Sequence, residues 1–265
     1  VIIRLALGLL GAAVVAAGAW RVGALTRSGA VAATLVGAVA TAAGFNWAAL
    51  LIVFFVAGTA LSRVGASVKA TRTAGVVEKH GARDARQVLA NGGVFAVGAA
   101  AFARSGDPLW AAVALGALVG AFADTVATEV GTLAGGTPRS ILDGRPLAVG
   151  TSGGITTTGT VAAVMAAAGL SALGLWLAVD ARVAAAALAG GVAGVFADSV
   201  LGALLQVRRW CPACAARTER VVHGCGARTR VTGGLAWLDN DGVNAAATLT
   251  SGLVAALAVA VFGAR

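Results

Sequence analysis

Two apolar stretches carry the same pattern, G-x-x-x-G-x-x-x-D: Gly116, Gly120 and Asp124, then Gly190, Gly194 and Asp198. Thr128 continues the first series, and Gly202 and Gln206 the second. Steps of four keep such residues on one helical face, so each helix presents a narrow glycine groove ending in a carboxylate. A carboxylate at mid-bilayer costs about 2.5 to 3.5 kcal/mol on insertion scales. Two at equivalent positions therefore imply a task, and they suit one or two Mg²⁺ ions, which take carboxylates together with substrate phosphate oxygens. The plainer alternative is that both side chains hydrogen-bond backbone in tight Gly-Ala packing.

Other groups fall beside this pair in the chain. Glu129, five residues after Asp124, is either a further metal ligand or a residue facing water. The segment 150–159, G-T-S-G-G-I-T-T-T-G, combines flexible backbone, hydroxyl donors and a helix start, which together suit a phosphate. No G-K-[ST] follows, so it is not a Walker A loop, and a flexible turn with an N-cap is the bland reading. Asp239, Asn240, Asp241 and Asn244 precede the last apolar run, where they could coordinate a metal or bind ribose and base, with one of them serving as N-cap. Between Arg63 and Asn91 lie Lys69, Arg72, Lys79, Arg83 and Arg86. These cations could neutralise a polyphosphate, and Asn91 offers an uncharged hydrogen bond, although such loops are basic for topological reasons alone.

All three cysteines fall in C-x2-C-x8-H-x-C: Cys211, Cys214, His223 and Cys225. Three thiolates and an imidazole make a closed tetrahedral Zn²⁺ set that leaves no coordination position for chemistry, so such an ion would brace the loop. A redox C-x-x-C or unliganded thiols are the alternatives.

These groups must be held by membrane helices. The chain is 58% hydrophobic and 12% charged, with a mean hydropathy of +0.88 and only four prolines. That predicts an all-α polytopic membrane protein, a single integral membrane domain over residues 1–265 with residues 205–235 as a small zinc-binding-like insertion. About eight spans can be placed: 1–20, read as a retained helix rather than a signal peptide, then 28–44, 47–63, 88–103, 109–126, 154–178, 183–204 and 242–263. Sixteen of the 20 basic residues fall in one set of connections, leaving Arg4, Arg104, Arg182 and Arg265 on the other side. The positive-inside rule then places the long loops in the cytoplasm of a bacterial-type inner or plasma membrane, with both termini outside. All acidic residues except Asp107 and Asp180 share that side, so the face suits a charged ligand. The repeat has a fixed offset of 74 residues and includes the strings F-A-D-[ST]-V, so its two copies are parallel and end at similar depth.

The strings 23–37, 87–93, 120–131, 150–159, 196–206 and 238–244 resemble, nearly end to end, the membrane family first catalogued as a domain of unknown function. That family includes plant phytyl-phosphate kinase and animal transmembrane protein 19. Plant members are implicated in converting an isoprenoid monophosphate to the diphosphate, whereas many bacterial and animal members have no assigned reaction. The Cys/His loop departs from many eukaryotic relatives and falls outside the shared chemistry.

The resemblance implies Mg²⁺-dependent phosphoryl transfer from a nucleoside triphosphate, ATP or CTP, to an isoprenyl phosphate held in the membrane. Asp124, Asp198, Glu129 and Asp241 would be metal ligands. Thr151, Ser152, Gly153, Gly154 and Thr156 would cradle phosphate, Lys69, Lys79 and Arg83 would act as clamps, and Asn91, Asn240 and Asn244 would bind the nucleotide. A CTP-dependent cytidylyltransferase and a transporter of a phosphorylated lipid or anion are the alternatives. No nucleic-acid partner is expected, and a homo-oligomer is left open.

Overall fold

Thr and Asp residues at the edges of the apolar runs start most of the helices. In this computed structural model, which describes residues 2–78 and 81–263, the order among the described residues is α1 (Ile2–Arg21), α2 (Arg27–Ala43), α3 (Phe45–Arg63), α4 (Ala66–Arg72), α5 (Ala85–Ser105), α6 (Pro108–Ala134), β1 (Arg139–Ser140), β2 (Gly154–Ile155), α7 (Thr157–Trp176), α8 (Ala181–Leu205), β3 (Arg208–Cys211), β4 (Ala216–Thr218), β5 (Arg230–Gly233) and α9 (Asn240–Gly263). Thr26, Asp107, Thr156 and Asp180 accept hydrogen bonds from first-turn amides of α2, α6, α7 and α8. Asp84 and Gln87 close a capping box on α5. Each cap satisfies amides that the helix itself leaves without partners.

Among the described residues, seven helices are long and apolar enough to cross a membrane; α2, with 17 residues, is at the short end of what spans. Leu10, Val14, Met165 and Leu257 point outward, as lipid-facing side chains do. Trp20 and Trp237 at one end and Trp110 and Trp176 at the other are also exposed, the pattern of aromatic side chains at the two interfaces.

The 27-residue α6 is the axis of the bundle and packs against α5, α7, α8 and α9. Its glycines explain how. A Cβ on Gly120 would stand 3.7 Å from the Cα of Gly191, so α6 and α8 touch backbone to backbone. Gly116, Gly120, Gly190 and Gly194 all turn toward Ser251 or Ala255, and α9 closes the three-helix contact. Connectivity makes α6 and α8 parallel, because α7 starts beside the end of α6 and a four-residue connection returns the chain into α8. Each carboxylate of the repeat therefore lies one turn beyond a glycine crossing, on the same side of the bundle.

At that end sit α4, the β1–β2 pair and a three-stranded antiparallel sheet of order β4-β3-β5. Amides of Val207 and Leu235 bond carbonyls of Leu238 and Leu205, fastening the sheet to the end of α8 and the approach to α9. Two expected bounds need correction. The fifth apolar run continues to Ala134, because nothing between 127 and 134 breaks the helix, so Thr128 and Glu129 lie inside α6. The sixth starts at Thr157, since Gly154 and Ile155 pair with Ser140 and Arg139 in strands instead.

Candidate functional site

A cavity of about 330 Å³ opens at the loop-bearing end. It is walled by Asp124 and Thr128 of α6, Asp198 and Ser199 of α8, Asn240 and Asp241 at the start of α9, the segment 149–156, Glu78 and Glu219. With Asp239, six carboxylate residues line it, and among the described lining residues none is Lys or Arg. Asp198 lies within electrostatic reach of both Asp124 and Glu219. Its Oδ1 is buried without a hydrogen-bond partner among the described residues. Buried acceptors are nearly always satisfied, so this oxygen, among other carboxylates, is suited to a cation.

Glu219 was missed in the sequence because it belongs to the Cys/His loop rather than to an apolar run. It follows β4 directly. Its amide bonds the carbonyl of Val76 at 2.9 Å, Ser152 Oγ donates to its Oε1 at 2.5 Å, and Gln206 also hydrogen-bonds it. Its presence among only 11 acidic residues, on the side holding both repeat carboxylates, was the available signal.

Burial raises the Glu219 pKa above its ordinary value, with Glu78 adding to the shift while the hydrogen bonds from Ser152 and Gln206 oppose it. The fold thus favours the protonated form: the associated stability is whole below the ordinary carboxylate range and is lost as pH rises through the raised value. In Mg²⁺-free buffer without chelator at about pH 8, Glu219→Gln is expected to melt above the parent, and the two should converge near pH 4, roughly the ordinary carboxylate value. Equal melting temperatures at both pH values would remove this burial argument.

The glycine-hydroxyl segment reaches the cavity, but much of its donor capacity is spent internally. The amides of Thr151 and Gly154 close turns onto Ala148 and Thr151, Ser152 serves Glu219, and Thr156 Oγ1 caps α7 through the Gly159 amide at 3.0 Å. Gly153, at φ +80, lies so close to Ala203 that a Cβ would stand 2.9 Å from its Cα, so the segment rests on α8 just beyond Asp198. The residues expected to cradle phosphate thus line the site, and Ser152 among them also orients a carboxylate.

The expected clamps lie elsewhere. Lys69 is buried, donates to the Leu61 and Ser62 carbonyls at 2.7 and 3.1 Å, and pairs with Glu129. Glu129 also accepts from Ser62 Oγ at 2.5 Å, so it is a partner of α3 and α4 outside the cavity lining rather than a metal ligand there. Arg83 reaches Thr59 at 3.2 Å. Burial lowers its pKa from the usual value, with Glu129 opposing. Asn91 donates to the Gln87 carbonyl at 2.9 Å, and Asn244, one turn into α9, lies off the lining. Asp239 caps the start of α9 through the Gly242 amide and pairs with Arg86 at 2.8 Å. Lys79 lies outside the described residues.

A second cavity, about 340 Å³ and mainly apolar, lies between α1, α2, α3 and α5. Leu7, Val15, Val36, Leu51 and Phe55 are among its walls, with Thr41, Arg83, Gln87, Asn91 and Thr125 as polar exceptions. Gln87 lines both cavities, and Thr125 follows Asp124. An apolar chamber within the membrane thus abuts a carboxylate chamber at its edge.

The Cys/His expectation is met in geometry. One ligand atom each from Cys211, Cys214, His223 and Cys225 falls within 4.8 Å of the others. The His223 hydrogen bond holds the Cys225 thiol down at about 6, while hydrogen bonding to Cys225 pushes Cys214 up to about 11.

In comparison with known proteins, the chain is 31% identical to "Protein PGR" of Arabidopsis thaliana over 261 residues, covering 88% of each. It is 34% identical over 167 residues to an "Uncharacterized membrane protein" of Methanocaldococcus jannaschii, covering 62% of this chain and 66% of that one. No solved structure matches. The family described as integral membrane protein DUF92 matches residues 10–252, nearly the whole bundle and both carboxylate helices, and the chain belongs to that family.

Proposed function

We propose that the protein transfers the γ-phosphoryl group of a nucleoside triphosphate to an isoprenyl monophosphate, with Mg²⁺ held at the carboxylate cavity. The observation that carries this reading is the meeting of Asp124 and Asp198, equivalent positions of the repeat, on one cavity that shares Gln87 with an apolar chamber. An amphiphile with a hydrocarbon tail and an anionic head fits such a pair of chambers. A lining with six carboxylate residues, among them Asp239 paired with Arg86 from outside the lining, repels a triphosphate unless divalent ions intervene, so the metals rather than Lys69 would supply the neutralising charge. Asp124, Asp198, Glu219 and Asp241 are the residues that would hold them, with Asn240 and Thr128 as further polar groups of the lining. Arg83, at the edge of the apolar chamber, would meet the lipid phosphate.

In the reaction an oxygen of the lipid phosphate bonds to the γ-phosphorus, and the bond from that phosphorus to the β–γ bridging oxygen breaks. A nucleoside diphosphate leaves. The acceptor is already an anion, so no general base is needed, and the chain's contribution is positioning. The resemblance to the phytyl-phosphate kinase family supports the isoprenyl tail, and the basic loops support a cytoplasmic active face. Transport is disfavoured because α6, α8 and α9 meet beyond the cavity with no room for a Cβ, which closes it toward the opposite face.

The test is incubation of purified protein with prenyl monophosphates, Mg²⁺ and each nucleoside triphosphate, reading lipid products by mass. A lipid diphosphate is expected. A nucleotide-linked lipid with released pyrophosphate would replace the reading by nucleotidyl transfer, and unchanged lipid with every donor would reject both.

A further inference from the structure

The three-stranded sheet has almost no core of its own. Its strands have four, three and four residues, Trp210, Val221, Val222, Val231 and Trp237 are exposed, and Cys211 and Thr218 are the buried side chains within the strands. So small a unit requires a staple to hold one shape. Two turns supply the means. Cys211 and Cys214 flank the β3–β4 turn, while His223 and Cys225 lie in a second turn closed by the His223 amide on Ala227 and the Gly226 amide on His223.

The distances fit one ion. Cys211 Sγ lies 3.6 Å from Cys225 Sγ, and His223 Nδ1 lies 3.3 Å from Cys225 Sγ. Zn–S bonds of 2.3 Å at tetrahedral angles would separate two sulfurs by about 3.8 Å. His223 Nε2 faces the other way, 3.4 Å from where a Cβ on Gly75 would stand, so Nδ1 is the ligand nitrogen and the ring abuts the 73–78 segment.

Glu219 sits between the two pairs of ligands, five residues after Cys214 and four before His223. Its flanks are anchored to the cavity wall by the Glu219 amide on Val76 and Arg220 Nε on Val77, at 2.9 and 2.8 Å. A brace at the two turns therefore fixes the segment that carries this carboxylate to Ser152 and toward Asp198.

We propose that Cys211, Cys214, His223 and Cys225 hold one Zn²⁺ ion, and that this ion positions Glu219 at the carboxylate cavity, so that a thiolate metal site governs an oxygen metal site. The zinc assignment stands by itself; the second half rests on the reading that the cavity takes divalent cations. Glu219 is the ligand being positioned, and the cysteines act through it.

Zinc content of the full-length protein, purified without chelator, is the first measurement. One zinc per chain is expected, with less than about a tenth remaining in Cys214→Ser and retention in Cys225→His, which keeps four ligands. A wild-type protein without zinc whose three thiols all react freely with a thiol reagent would overturn the site even if the Ser variant fails to fold. The second measurement strips zinc from wild type and follows amide exchange by mass spectrometry. Faster exchange is expected over 216–229 and 73–78, and unchanged exchange would overturn the positioning role.

The third measurement titrates Mn²⁺ by its paramagnetic resonance signal. Zinc removal and Glu219→Gln should each weaken binding about tenfold or more, without adding when combined. Equal Mn²⁺ affinity with and without zinc would overturn the coupling. Absence of Mn²⁺ binding to the zinc-loaded protein would overturn the cavity reading and the coupling together, leaving the zinc site and the exchange result standing.

Discussion

Asp124→Asn and Asp198→Asn are each expected to lower turnover of prenyl monophosphate by about a thousandfold or more, the equivalent of several kcal/mol of metal-derived stabilisation in the transition state. Lining position and mutual electrostatic reach make the two carboxylates one unit, so the double variant should lose little beyond either single one. A folding defect is excluded by melting in chelator. Because Asp198 Oδ1 is buried without a partner among the described residues, an uncharged amide of the same shape should leave the melting temperature equal or higher, an unsatisfied buried group costing about 1 to 3 kcal/mol or more. Product formation within a factor of three of wild type in both variants would end the metal assignment. A lower melting temperature for Asp198→Asn would instead show that the charge is compensated without metal.

The glycine crossing separates two kinds of close contact. In Gly190→Ala the added methyl would collide with the carbonyl oxygen of Ser251 and lie 3.0 Å from the Ala255 amide, both backbone atoms that cannot turn away. A loss of at least about 3 kcal/mol is expected, at the upper end for overpacking. In Gly194→Ala the nearest atom by more than 1 Å is Ser251 Oγ, a side-chain atom, with the Ala247 carbonyl oxygen next at 3.0 Å. Ser251→Ala removes it at the cost of its hydrogen bond to Ala247 within the same helix, so the double variant should recover much of the Gly194→Ala loss. The same second change should do nothing for Gly190→Ala. Melting temperatures of the four proteins check this, and equal rescue at both glycines would mean that α9 shifts as a body.

Much of the arrangement was legible because membrane helices obey simple rules. The repeat could be read because a period of four fixes a helical face, and the offset between copies forces both carboxylates to one end. The cysteine spacing was legible because four soft ligands within a short loop have few other uses. Loop chemistry was harder. Glu129 looked like a ligand from its distance to Asp124 along the chain, but five residues of helix turn it toward α3 and α4, where Ser62 and Lys69 take it. Lys69 looked like a clamp because loop cations carry no periodicity that tells solvent from structure, but it is buried against Glu129. Ser152 and Thr156 offered hydroxyls whose internal partners, Glu219 and the Gly159 amide, are set by tertiary contacts. Glu219 itself lies at the far end of a sheet whose docking no local pattern announces.

In the proposed reaction the length of α6 sets the depth at which phosphate chemistry would take place. At 1.5 Å per residue the helix is about 40 Å long, and Asp124 lies about 24 Å along it from Pro108. If Trp110 marks the outer boundary of a hydrocarbon layer of about 30 Å, the carboxylate is several ångströms short of the opposite boundary. A headgroup engaged there must sink below its neighbours while its tail stays in lipid, and water must follow it into the protein. Bilayer thickness thereby becomes a variable of the proposed reaction: each added ångström of acyl chain would deepen the well from which a more highly charged head must climb.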